Sequence, residues 1–424
     1  MSGRAGLPVP SQRRARDDAR VASARDSTAT GALVTVWSVW LVVMMGANLA
    51  TPLYVVYAAR FGFSSFVLTA IFAAYAFMLV PTLVFFGRLS DRFGRRPVIL
   101  TGLVVAAIGL AVFAAAQGTA WLFGARMLQG LAVGLISGPA TAALVELDPR
   151  REEQRPALLA GLAQAGGSGA GPALAGVLAQ WAPAPRQLPF LVVLGATAIA
   201  AVVILKLPEP ADERSERWRI QWPRVPADVR SSFARVSVTA ALGWGALALC
   251  LSIVPKYSSD LLHTDDLALL GAVAALALAA SCATQILSQR LRLPVRGTQA
   301  AGLMLLALGL VVLVIASPLH SLVVLLVGSV VIGTGHGFSF LSAQDELNTI
   351  APPERRGEVT SAFIGCIYFV VATSVIASGV LDRWFALATA VGAVALALAL
   401  AATATTIWQI RAARGSGGGS RQKR

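Results

Sequence analysis

The sequence predicts an all-α membrane protein with twelve transmembrane helices in two six-helix halves. Charged residues make up only 13% of the chain and hydrophobic ones 56%, with a mean hydropathy of +0.70. Soluble globular chains carry about a quarter charged residues. Long runs without charge cover 27–59, 61–87, 97–125, 127–145, 156–185, 187–205, 236–255, 267–289, 297–344, 359–381 and 384–410. A spanning helix needs roughly 20 mainly apolar residues to cross about 30 Å of hydrocarbon. The third observation is the placement of Lys and Arg, which cluster in alternate inter-helix segments.

Most runs supply one span each. The run 97–125 holds the third span, a turn at Gln117-Gly118-Thr119 and the start of the fourth. The run 297–344 is long enough for the ninth and tenth, with a natural break at Ser317-Pro318-Leu319-His320. The longest polar interval follows the sixth span and contains Pro208, Pro210, Pro223 and Pro226, so 207–232 reads as a linker between an N-terminal half at 31–206 and a C-terminal half at 233–411. Residues 1–30 are rich in Arg, Ala and Ser with no apolar core, which fits a disordered N-terminus and not a cleavable signal peptide. Residues 412–424 include Gly415-Ser416-Gly417-Gly418-Gly419-Ser420 and read as a flexible tail.

Of the 35 Lys and Arg, 30 fall in one set of alternate segments and four (Arg60, Arg186, Lys256 and Arg383) in the other. Arg126 lies within a span. That bias is the positive-inside pattern and puts both termini in the cytoplasm, in a multi-pass protein of the cell (inner or plasma) membrane. The net charge of +14 is therefore topological, with some attraction to anionic membrane lipid, and no nucleic-acid partner is expected. Cys250, Cys282 and Cys366 fall in predicted spans and read as small buried apolar residues. No His/Cys/Asp/Glu cluster has metal-site spacing. No Ser/His pair, paired Asp or nucleotide-binding glycine loop followed by Lys appears, so no metal, no cofactor and no enzyme activity are expected.

An internal repeat supports the division into halves. A shift of about 203 residues lays Gln129-Gly130-Leu131-Ala132-Val133-Gly134 over Ile332-Gly333-Thr334-Gly335-His336-Gly337, and the loop from Pro149 to Arg155 over Pro352 to Glu358. Between the second and third spans lies Gly87-Arg88-Leu89-Ser90-Asp91-Arg92-Phe93-Gly94-Arg95-Arg96. Gly94 permits a tight turn between antiparallel helices, the arginines suit a headgroup surface, and Asp91 is the only acid among them.

With these features the chain resembles the major facilitator superfamily, in particular its twelve-helix drug/proton antiporter type, over residues 31–411. The loop matches the family motif G-x-x-x-D-R-x-G-R-R at Gly87, Asp91, Arg92, Gly94, Arg95 and Arg96. The resemblance implies a conformational latch there, with Asp91 helping to hold the two halves in the outward-facing state. The second-half counterpart, Ser288 to Arg296, is basic but lacks the motif, so any latch is one-sided.

Arg126-Met127-Leu128-Gln129-Gly130 matches the family's fourth-helix motif, which implies a part in proton coupling for Arg126, Gln129 and Gly130. A charge within a span costs at least a few kcal/mol, so Arg126 either faces a cavity or snorkels outward. In the fifth span, Gly167, Gly171, Pro172 and Gly176 resemble the antiporter motif G-x-x-x-G-P-x-x-G-G, with Ala175 departing by one methyl group. Small residues four apart let helices approach closely, and Pro172 removes one backbone donor.

The resemblance places the first, fourth, seventh and tenth helices around a cavity. Asn48, Thr51, Tyr54, Trp244, Ser252 and His336 are the candidate lining residues by depth and polarity. Tyr54 fits an aromatic wall or the interfacial belt equally. His336 suits a proton carrier because free histidine titrates near neutrality, and a neutral histidine bonded to a backbone carbonyl suits the position as well. Glu146 and Asp345, near the cytoplasmic ends, are further proton-carrier candidates, as is Asp91. The cavity lacks acids, which argues against a dedicated organic-cation exporter.

The expected function is secondary active transport by alternating access: proton-coupled export of a hydrophobic small-molecule substrate by a monomer. The alternatives are an uptake or exchange carrier for a metabolite such as a sugar or organic acid, and a transport-dead sensor or scaffold.

Overall fold

The computed structural model describes residues 10–86, 89–148, 155–207, 225–252, 254–255, 258–259, 264–352 and 356–418, with backbone alone at 10–28, 91, 296, 356–357 and 413–418. Among the described residues the fold is helical throughout. The first half contains α1 (Pro10–Asn48), α2 (Tyr54–Phe61), α3 (Ser65–Phe86), the short α4 (Leu89–Phe93), α5 (Arg95–Ala114), α6 (Thr119–Glu146), α7 (Arg155–Trp181) and α8 (Leu188–Lys206). The second contains α9 (Arg230–Ser252), α10 (Leu267–Arg290), α11 (Val295–Ala316), α12 (Leu322–Ile350), α13 (Arg356–Leu381) and α14 (Leu387–Gly418).

Eleven of these helices are long and apolar enough to cross a bilayer. The twelfth span is α7. Its 27 residues reach about 40 Å at helical rise, but Ala, Gly and Gln in place of Leu and Val lower its hydropathy. The first span is broken at Leu49–Leu53, where Pro52 removes a backbone donor, and resumes as α2. The expected break between the ninth and tenth spans falls between Ala316 and Leu322, and Ser321 caps α12 by accepting from the Val324 N–H.

The backbone is helical from Pro10 at the start of α1 and as far as Gly418 at the end of α14. Residues 1–9 and 419–424, the loop residues Gly87 and Arg88, and most of the expected linker (208–224) lie outside the described residues.

The repeat seen in the sequence has a geometric counterpart. A Cβ at Gly130 would lie 2.3 Å from the Tyr75 carbonyl oxygen, and one at Gly134 2.7 Å from Thr82, so α6 seats its glycines on α3. In the second half, a Cβ at Gly333 would lie 1.9 Å from the Ala277 carbonyl oxygen and one at Gly337 2.6 Å from that of Ser281, so α12 seats on α10 in the same way. The other pairings repeat too: α1 with α7 matches α9 with α13, and α5 with α8 matches α11 with α14.

The halves meet along two seams, α3 with α13 and α7 with α10. At the end away from the basic loops these contacts are very close. A Cβ at Gly176 would stand 2.4 Å from the Leu267 carbonyl oxygen, and one at Gly379 would strike the Thr69 hydroxyl. Gln180 Oε1 accepts the Leu267 N–H at 2.9 Å, and Arg383 lies over the Phe66 ring. Toward the basic end, side chains bridge the same seams: Gln285 faces Gly161, and Ile364 and Tyr368 pack on the first-half core.

Replacing Gly176 with Val should force α7 from α10 and lower the detergent-solubilised melting midpoint by several degrees, an overpacking cost of about 1–3 kcal/mol. Gly124→Ala, with open space at its Cβ, should leave the midpoint unchanged.

Candidate functional site

The basic loop is built by local geometry. Gly94 has φ +95°, a region closed to side chains with a Cβ, and this turn lets α5 reverse directly after α4. Arg95 Nη1 donates to Ser90 Oγ at 2.7 Å and its Nη2 to Glu146 Oε1 at 2.9 Å, tying α5 to the end of α6. Arg96 donates to the carbonyls of Leu205 and Leu207 at the end of α8. Arg92 is exposed against the Phe93 ring. Arg95 and Arg96 thus brace the ends of three first-half helices, and Glu146 is committed to Arg95. Asp91 lies in α4, with its side chain outside the described residues; Gly87 lies outside them altogether.

A cavity of about 600 Å³, including its open mouth, lies between the halves. Asn48, Phe72, Tyr75, Arg126, Gln164 and Ser168 line the first-half side, and Trp244, Leu251 and Tyr368 belong to the second-half side. The Tyr75 and Tyr368 hydroxyls share a hydrogen bond of 3.2 Å across the α3/α13 seam. Asn48 Nδ2 donates to Met44 O at 3.2 Å and to Ser168 Oγ at 3.1 Å, joining α1 to α7.

Arg126 is 4% exposed and faces this cavity, which removes the outward-snorkelling alternative. Its Nη1 donates to Ala47 O at 2.6 Å and to Gln129 Oε1 at 3.0 Å. Its guanidinium lies 5.0 Å from the Phe72 ring centre and 4.6 Å from that of Tyr75. Gln129 is fixed in turn by donating to Gly46 O at 2.8 Å.

Several expected lining residues are close to the cavity without bordering it. Thr51 and Tyr54 are buried in the α1–α2 turn, where Tyr54 packs on Phe72. Ser252 is buried and donates to Ala248 O. His336 sits behind Trp244, edge-on to it at 4.8 Å and stacked on Phe340, with Nδ1 hydrogen-bonded to Ser281 Oγ at 2.8 Å. Its partner is therefore a hydroxyl and not a backbone carbonyl. Its Nε2 and the Trp244 Nε1 have no partner among the described residues.

On α7, a Cβ at Gly167 would lie 2.4 Å from Leu41 O and one at Gly171 2.3 Å from Met45 O. Gly176 faces α10 instead, beside Pro172, whose carbonyl oxygen would lie 2.4 Å from a Cβ at Gly271. One helix is thus sandwiched at backbone distance between its own half and the other.

The sequence profile described as Major Facilitator Superfamily matches residues 36–375. The chain belongs to the major facilitator superfamily. As such it is a membrane transporter and not an enzyme. Among relatives, it is similar to the class D tetracycline resistance protein of Salmonella ordonez, 32% identical over 181 residues, which is 42% of either chain. It also resembles the class E tetracycline resistance protein of Escherichia coli, 31% identical over 133 residues, 31% of this chain and 32% of that one. Each match spans less than half of the relative's length.

In fold, the transporter is similar to the human organic anion transporter MFSD10 (TETRAN), with a TM-score of 0.66 at 18% identity, over 89% of this chain and 99% of that one. A structure of the nucleoside transporter NupG gives the same TM-score at 14% identity, over 89% and 98%.

Sequence reasoning missed one charge. Arg126 is not the only arginine inside a span: Arg235, in the second turn of α9, is 4% exposed and paired with Glu346 of α12. Gln299 donates to Glu346 Oε2 at 2.7 Å, and Gln409 donates to Gln299 Oε1 at 2.6 Å and to Thr239 Oγ1 at 3.0 Å while accepting from Arg235. Helices α9, α11, α12 and α14 of the transporter are knotted together there. The signal available was a glutamine in each of two otherwise apolar spans. Cys366 also departs from expectation: it is exposed, whereas Cys250 is buried.

Arg235→Met should leave the Glu346 carboxylate buried and unpaired, at a cost of about 3–5 kcal/mol, visible as loss of folded protein by size-exclusion chromatography. Adding Glu346→Leu should restore most of the yield.

Proposed function

We propose that this transporter is a proton-coupled exporter of hydrophobic small molecules, working by alternating access in the cell membrane with its basic loops and both termini in the cytoplasm. The observation that carries the reading is the cavity between the halves, walled by Phe72, Tyr75, Trp244, Tyr368 and aliphatic side chains of α13, with Asn48, Arg126, Gln164 and Ser168 as its other polar groups. An apolar cargo needs only such walls, whereas a sugar's hydroxyls need many partners. Export is supported by the Gly171-Pro172 helix at the inter-half seam and by the similarity to tetracycline resistance proteins. With the basic loops inside, the backbone-tight end of both seams is the outer gate, shut in this conformation. The transporter would act as a monomer, since each half already supplies the other's seam.

Proton coupling would use Arg126 with Gln129, held on Gly130's close approach to α3, and His336, one aromatic ring behind the cavity wall. The loop 87–96 would act as the latch through Asp91. Its arginines would hold the first-half helix ends as one rigid body, as their contacts with Glu146, Leu205 and Leu207 support.

Everted vesicles carrying the protein should extrude or accumulate a lipophilic dye only under an imposed pH gradient; identical movement in vesicles without the protein would sink the exporter reading. In the same vesicles, Asp91→Asn should slow cycling at unchanged membrane insertion, and wild-type rates would remove the latch role. His336→Ala should flatten the dependence of rate on pH, and an unaltered profile would exclude His336 as the carrier.

A further inference from the structure

We propose that the cargo site selects organic anions: a planar hydrophobic body carrying a carboxylate or comparable acidic group, which docks on Arg126. This rests on the cavity being the transport site, and it adds the sign of the cargo's charge. Among the described residues that line the cavity, Arg126 is the only charged one, and no Asp or Glu faces it.

What surrounds Arg126 is neutral. The acceptors at its Nη1 are a backbone carbonyl and an amide oxygen, and the groups on its faces are two aromatic rings. Among the described residues its Nε is buried without an acceptor, and its hydrogen bonds leave from Nη1 alone. A guanidinium donates from every nitrogen and accepts nothing, so its unfilled valences point to an acceptor supplied from outside. Arg235 shows how this same fold satisfies a buried arginine from within: a carboxylate and an amide close around it.

A second unfilled donor belongs to the cavity wall of the other half. Trp244 is 7% exposed, lines the cavity, and has a buried indole Nε1 with no partner among the described residues. An indole nitrogen only donates, so it too suits an acceptor-rich group and offers nothing to an ammonium. The two unfilled donors come from opposite halves, and the aromatic rings of Phe72, Tyr75 and Tyr368 give a flat body faces to stack on. A cationic drug would meet an uncompensated positive charge in low dielectric, whereas an anion neutralises it.

The test compares three molecules of the same shape: naphthoate, its neutral primary amide, and naphthylmethylammonium. Saturable binding is measured by calorimetry on the full chain in nanodiscs of phosphatidylcholine at neutral pH. Naphthoate should bind at least about tenfold more tightly than naphthylmethylammonium, with the amide between them. Arg126→Gln should abolish the preference. Trp244→Phe, which keeps a ring and deletes the donor, should weaken naphthoate a few-fold and narrow its preference over the ammonium, which loses only part of a cation–π contact.

Equal or tighter binding of the ammonium by the wild-type protein overturns the proposal and requires no variant to fold. So does a preference for naphthoate that survives in an Arg126→Gln protein with wild-type melting. Binding and transport separate the two readings. Charge-selective binding without gradient-driven movement defeats the exporter reading alone, while gradient-driven movement of lipophilic cations but not naphthoate defeats the anion site alone.

Discussion

Inside a bilayer no water drives side chains together, so helix association depends on how closely backbones can approach and on the polar groups they enclose. This transporter uses that constraint at two levels. Within each half, a glycine pair on the fourth span of that half (Gly130 and Gly134, then Gly333 and Gly337) seats on the second span at separations where a single methyl group would collide with a carbonyl oxygen or side chain. Between the halves, Gly176 and Gly271 do the same at the end away from the basic loops. The large side chains are left to gather where glycine is absent. The cavity is therefore framed by the seams, and its aromatic walls follow from where the backbones are held close and where they are not.

The two buried arginines show how the same cost is met in opposite ways. Arg235 has a carboxylate, two glutamines and a threonine arranged around it, and those partners come from four second-half helices. Such a closed network fixes one packing and suits a part that stays rigid. Arg126 has only a carbonyl, an amide and two ring faces. A charge with incomplete neutral company, beside a cavity, is cheap to re-pair when something enters. The proposed cargo site thus gathers on the first arginine, and the closed polar network of the second half on the other.

Much of this was legible in the sequence. Hydrophobic run length, divided by the roughly 20 residues a bilayer requires and broken at turn residues such as Ser317-Pro318, yields the spans. The repeat at a shift of about 203 residues gave the equivalence of α6 and α12, while the intramembrane position of Arg126 left a cavity and outward snorkelling as alternatives, between which its burial at the cavity decides. The misses share a cause. Arg235 looks like part of a basic flank because its partners, Glu346, Gln299 and Gln409, stand from 64 to 174 residues further along the chain. His336 lies on a glycine-rich face that could equally turn to the cavity or to a neighbouring helix. Only the packing of Trp244 and Phe340 decides that it turns away. Depth in the membrane can be read from position along a span, but rotation about the helix axis cannot when most of its faces are apolar.

One residue joins the cavity to the inter-half seam. The Tyr75 ring receives the Arg126 guanidinium on its face, its hydroxyl meets that of Tyr368 across the seam, and its carbonyl is the surface against which Gly130 packs. Any cargo that draws the guanidinium away weakens a cation–π contact of about 0.5–2 kcal/mol on the same ring that bonds to the second half. Carrying a two-state protein from one face to the other takes about 5.5 kcal/mol of differential binding. The Tyr75 contact therefore supplies a fraction of what is required, and cargo binding alone is too weak a lever if it acts only there. Coupling to a second event, such as the arrival of a proton elsewhere in the bundle, is what would make up the difference, so a cargo charge at Arg126 and a proton need not share a residue to share one conformational change.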